Sequence, residues 1–111
     1  MASARRSAAS IDIASCAAFE TVVAETGSSV YEVIVLRGDR GKVLVRGGQH
    51  FATFCPVLFA GSMRPGGAID RHTIEIGLRM QFCLGDMVVV TSAIRSLCRR
   101  STTAATAEAT S

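Results

Sequence analysis

The chain of 111 residues has no tryptophan, a single tyrosine, two prolines and two histidines. With five phenylalanines as the other aromatics, core packing falls mainly to Val, Ile, Leu and Met. The four cysteines stand at positions 16, 55, 83 and 98, so neither C-x-x-C nor any zinc-ligand spacing is present. Two histidines are too few for most metal sites. No apolar run approaches the ~20 residues that a membrane span needs. Ile13-Ala14-Ser15-Cys16 has the form of a lipoprotein cleavage site. Before it, however, Ser7 to Asp12 hold a carboxylate and no run of large apolar residues, against the roughly 7–15 that a signal peptide requires. Free thiols in a reducing cytosol are the expectation. No G-x-S-x-G elbow occurs, and Gly38, Gly41, Gly47 and Gly48 precede no G-K-[ST]. No catalytic residue, metal ligand or cofactor is expected, and the chain reads as a non-enzyme.

Charge of one sign is also scarce where it would matter. Between Phe19 and Leu97 eight basic residues face seven acidic ones, leaving +1 of the net +3. The other +2 comes from the two ends, through Arg5, Arg6, Arg99 and Arg100 set against Asp12 and Glu108. A nucleic-acid-binding domain carries a concentrated basic face, and none is evident. Weak nucleic-acid binding through the Arg-bearing tails is one alternative.

What is present is alternation. From His72 to Phe82, His72, Ile74, Ile76, Leu78, Met80 and Phe82 point one way, and Thr73, Glu75, Gly77, Arg79 and Gln81 the other. This period of two predicts a strand with one apolar and one polar face. Gly77 in mid-strand suggests a bulge or bend. Leu84-Gly85-Asp86 breaks the pattern, and the β-branched run from Met87 to Ser92 returns as the second arm of a hairpin.

Earlier in the chain, Phe19 to Thr26 reads as a first strand and Gly27-Ser28-Ser29 as a turn. Val30 to Leu36 is a strong strand, with the Tyr31, Val33 and Val35 face the more buried. Arg37 to Gly41 forms a polar loop, and Lys42 to Arg46 the returning strand. The Arg37-Gly38-Asp39 tripeptide in that loop is explained by turn chemistry better than as an integrin ligand. Gln49 to Cys55 reads as irregular, followed by a short strand from Val57 to Ala60 with Pro56 at its edge. Gly61 to Asp70 is a loop with a tight turn at Arg64-Pro65-Gly66-Gly67. Residues 1–18 are expected to be a flexible Ala/Ser-rich leader, 19–98 a small β-domain, and 99–111 a flexible Thr/Ala-rich tail. Five to six short strands without a long helix specify an all-β fold: a small antiparallel barrel or a rolled sheet.

Two clusters are candidates for chemistry. His50 and Cys55 are a conceivable nucleophile pair, which makes a small Cys/His-dependent enzyme a further alternative. Arg64, Asp70, Arg71 and His72, with Gly66 and Gly67, form the densest polar group and are the candidate partner-binding residues.

Thr26-Gly27-Ser28-Ser29-Val30-Tyr31 and Thr91-Ser92-Ala93-Ile94 together resemble a loose group of small bacterial and phage proteins. These open with a T-x-x-G-S-x-Y type hairpin and close on a strand of the T-S-P-V type; Ala93 stands where the group tends to have proline. The resemblance covers about residues 27–97 and implies a small all-β protein of bacterial or phage origin. It implies no activity, ligand or site residue. The functional expectation is a non-enzymatic β-domain, cytoplasmic, that binds a protein partner or assembles with itself.

Overall fold

Alternating apolar side chains become the inner faces of strands that wrap around one core. The computed structural model describes residues 5–100. In these the strands are β1 (Arg5–Ser7), β2 (Ser10–Asp12), β3 (Thr21–Thr26), β4 (Val30–Arg37), β5 (Lys42–Gly47), β6 (Phe51–Met63), β7 (Ile69–Asp70), β8 (Thr73–Glu75), β9 (Arg79–Leu84) and β10 (Met87–Arg100). The fold is all-β and antiparallel. Six strands close a ring in the order β3-β4-β5-β6-β9-β10, with β10 returning to β3. Val22, Val33 and Val45 face one another across three of these strands, all fully buried. Phe82 on β9 sits at the centre, its ring 5.6–6.4 Å from those of Tyr31, Phe51 and Phe59.

Two strands are much longer than the rest, at 13 residues for β6 and 14 for β10. Each changes partner midway. The first half of β6 pairs with β5 and the second with β9; the first half of β10 pairs with β9 and the second with β3. Such strands are the corners at which one sheet folds over onto another, and the bend needs a local irregularity. In β6 the ladder to β9 shifts between Phe59 and Gly61, where Gly61 has φ 139° and a side chain would strike the Asp70 carbonyl. In β10 the ladder to β9 shifts between Val90 and Ala93. There the buried Thr91 hydroxyl accepts the Met80 N–H at 3.1 Å and donates to the Ser92 carbonyl at 2.7 Å, replacing ladder bonds lost at the bend.

Four expectations change. Pro56 does not interrupt β6. Leu44 is its neighbour on β5, and the ladder to β9 starts only at Leu58, so the missing N–H falls on a side where no strand pairs. The Phe59 N–H, which donates to the Gly41 carbonyl at 2.7 Å, fixes this alternation. The stretch from His72 is two strands rather than one. Gly77, at φ 90°, ends the first part, and β8 leaves the ring to pair with β2. Ile76, expected on the apolar face, is consequently exposed.

The flexible leader expected over residues 1–18 is not what residues 5–18 form. β1 pairs with the end of β10, β2 pairs with β8, and Ile11 and Ile13 are buried in the core. Two isoleucines suffice because the structure receives both: Ile11 lies opposite Ile74, and Ile13 passes directly over Gly38, where a Cβ would come within 1.8 Å of its carbonyl oxygen. The Ile13 N–H donates to the His72 carbonyl at 2.8 Å. The tail expected at 99–111 begins as ordered strand, through Arg100. Residues 1–4 and 101–111 lie outside the described residues. No helix among the described residues is long and apolar enough to cross a membrane.

Candidate interaction surface

The four polar residues singled out by the sequence fall on two successive turns, and only Arg64 and Asp70 are joined directly. Arg64 forms ion pairs with Asp70 and, at 3.5 Å, with Glu75, clasping β6, β7 and β8 together. Asp70 is the main reason that the Arg64 guanidinium is held above its usual pKa. His72 takes the left-handed backbone conformation, φ 64°, and its carbonyl anchors Ile13. Of the four, Arg64 and Arg71 are exposed, and among the described residues no ion pair is formed by Arg71. This loop is a joint between the ring and residues 5–15, the N-terminal strap formed by β1, β2 and the turn at Ile13–Ser15.

His50 and Cys55 are not brought together. His50 lies in the turn before β6 and Cys55 five residues on, which at ~3.3 Å per residue of extended strand separates them by roughly 16 Å. Burial, reinforced by the Glu20 carboxylate and opposed by Arg99, pushes the Cys16 thiol up and away from the reactive thiolate. All four cysteines are free. Arg37 and Asp39 pair with each other at 3.2 Å across the turn that Gly38 allows under Ile13.

Arg99 and Arg100, expected in a tail, are built into the sheet instead. Arg99 donates to Glu20 at 3.0 Å, and Arg100 shares Glu32 with Arg46. Burial would raise the Glu20 pKa, but hydrogen bonds from Arg99 and from the Ala17 N–H hold it below the usual carboxylate range. Glu32 is lowered chiefly by its bond from Arg46, whose guanidinium also lies 4.3 Å over the Phe54 ring. Arg99 and Arg100 are thus each held by a carboxylate within the sheet.

A different feature stands out on the surface. The first half of β10 pairs with β9 on one side, and β3 takes up its other side only from Ile94 onward. Among the described residues nothing pairs with that free edge from Met87 to Val90. The connection from β9 is the two residues Gly85 and Asp86, with Leu84 opposite Met87 and Gly85 at φ 59°, the glycine position of a type II′ turn. A two-residue connection sets the phase of the ladder: Met87 and Val89 turn their backbone groups to β9, while the N–H and C=O groups of Val88 and Val90 point outward from the edge. Their side chains are also uncovered, at 55% exposed for Val88 and 40% for Val90, with Met87 at 42%. From Met87 to Ile94 there is no charged residue and no proline.

The apolar surface continues inward from this edge. Val88, Cys83 and Leu58 lie side by side on β10, β9 and β6, and Leu58 is 48% exposed. Beyond them, a shallow groove of about 420 Å³ runs between Leu36, Pro56, Leu58, Cys83 and Leu84. The sequence held the signal for this surface in the unbroken Met87–Val90 run. What it could not show was that one side of that strand stays unpaired.

Comparison of the chain with protein-family models, with curated proteins and with solved structures finds no match.

Proposed function

We propose that this chain is a non-enzymatic protein-binding β-domain that accepts a partner's strand along the free edge of β10. The observation that carries the reading is the uncharged, apolar and unpaired edge from Met87 to Val90. Sheet edges of this kind template pairing with other chains, so proteins normally blunt them with charge, proline, short strands or covering segments. Elsewhere this fold does so. β6 carries Pro56 on its open side, β7 is two residues long, and β1 covers the end of β10.

The chemistry available is that of strand addition. Main-chain hydrogen bonds from Val88 and Val90 supply affinity, and alternate side chains of the incoming strand supply selectivity. The exposed Val88 and Val90 side chains give such side chains apolar neighbours on the same face.

The test is titration of the full chain with a soluble Val–Thr alternating peptide carrying terminal lysines, followed by amide hydrogen exchange. Slower exchange confined to the Val88 and Val90 amides, abolished by Val90→Pro, is the expected result. Proline there removes an outward donor without breaking a bond to β9. Unchanged exchange at both amides under saturating peptide, in monomeric protein dilute enough that they exchange fast without it, refutes the proposal.

A further inference from the structure

The free edge of β10 is complementary to itself, and we propose that its partner is a second copy of this chain. The two edges pair antiparallel about a two-fold axis at Val89. This inference rests on the strand-accepting reading above and names its occupant.

The first support is register. With the axis at Val89, Val88 of each copy lies opposite Val90 of the other, and Met87 lies opposite Thr91. Val88 and Val90 are the residues whose backbone groups face outward, so each copy offers two donors and two acceptors at matching positions. A two-fold interface requires this property: the same patch must serve as both halves.

The second support is charge. Asp86 falls opposite Ser92 and no charged residue falls opposite another of its own sign, because none occurs from Met87 to Ile94. A charged partner strand would find no complementary group along this edge, whereas a copy of the edge finds no repulsion. Val88 and Val90 lie on one face of the strand, so four exposed valine side chains meet along the seam. The Leu58–Cys83–Val88 row of each copy then continues the apolar surface away from the seam, outside the contact itself. Pairing joins the two sheets β7-β6-β9-β10 into one sheet continuous across both copies.

Light scattering on the full chain, from low micromolar to millimolar concentration, tests the inference through two double variants. Val88→Lys with Val90→Lys places introduced lysines directly opposite each other. It should weaken self-association roughly tenfold or more, because two favourable cross-strand pairs become repulsive. Val88→Lys with Val90→Glu places opposite charges in register and should restore the dimer. Restoration is specific to the antiparallel alignment, since a parallel pairing sets lysine against lysine in both variants. Both positions are exposed, and a circular dichroism melt checks that each variant folds; should either fail to, concentration-dependent protection of the Val88 and Val90 amides in the unaltered chain decides the matter.

A chain that stays monomeric to millimolar concentration overturns the inference, as does a Lys/Lys variant that still dimerises or a Lys/Glu variant that does not recover. The Val–Thr peptide separates the two levels. Monomeric protein whose edge amides are protected by peptide loses the second copy as partner and keeps the strand-accepting edge. Monomeric protein unaffected by peptide loses both.

Discussion

β6 and β10 are the same device used twice and finished differently. Both are long corner strands, both exchange one partner for another midway, and among the described residues both leave half of one side unpaired. On β6 that open side carries Pro56, whose nitrogen has no proton to offer an incoming strand. On β10 it carries Val88 and Val90, exposed and uncharged. Closure of the ring creates two open edges, and the sequence protects one of them. The contrast between an edge that carries proline and one that does not is the ground on which the proposed interaction surface is placed at β10.

The comparison can be broken most forcefully at the strand the two corners share. Phe82 on β9 lies opposite Phe59 of β6 and Val89 of β10 and is fully buried. Phe82→Ala should cost about 3–5 kcal/mol and loosen both corners together, read by denaturant unfolding. A smaller, one-sided effect is expected at the β10 corner. Thr91→Val keeps the shape but leaves the Met80 N–H without its acceptor, at about 1–3 kcal/mol. Exchange should quicken at the Met80 amide while the β5–β6 ladder is unchanged.

Replacing the protecting residue sharpens the contrast. Pro56→Val restores a donor to the open side of β6 with little effect on stability. It should produce a second, concentration-dependent association that light scattering distinguishes from that of the unaltered chain. If Pro56→Val behaves as the parent does, proline is not what protects that edge.

The smallest effect concerns the paired half of β10, where Arg99 and Arg100 hold Glu20 and Glu32. Both carboxyls are lowered from an ordinary value of 4.5. A lowered pKa in the folded chain means that the unfolded chain binds the proton first on acidification. Their contribution is therefore fully present above pH 4.5 and is lost as the pH falls through the folded values below it. Urea midpoints measured across that range should decline less steeply in Arg99→Met than in the parent.

Much of this fold was legible from alternation. β4 and β5, the turn at Gly27-Ser28-Ser29 and the β9–β10 hairpin follow from the period of two and the glycine positions. β6 was not, because Pro56 signals a break unless it is known that no strand lies on its N–H side. The strap was not, because Ile11 and Ile13 are two apolar residues among small ones, and only Gly38 and Ile74, far along the chain, give them a place. The proposed interaction surface was hidden for a related reason. Met87-Val88-Val89-Val90 has the composition of a buried strand, and local pattern cannot say which side of a strand remains unpaired. The densest polar group in the sequence, Arg64, Asp70, Arg71 and His72, instead holds the β6–β7–β8 joint, through the Arg64–Asp70 ion pair and the His72 carbonyl.

Hydrogen exchange at the Val88 and Val90 amides, followed in the full chain as its concentration is raised, bears most directly on the claim that the free edge of β10 is where this protein binds. The account predicts fast exchange when dilute and progressive protection of these two amides on concentration, with the Val89 amide protected throughout by β9. Fast exchange of Val88 and Val90 at every concentration, together with no protection from an added strand peptide, would contradict it.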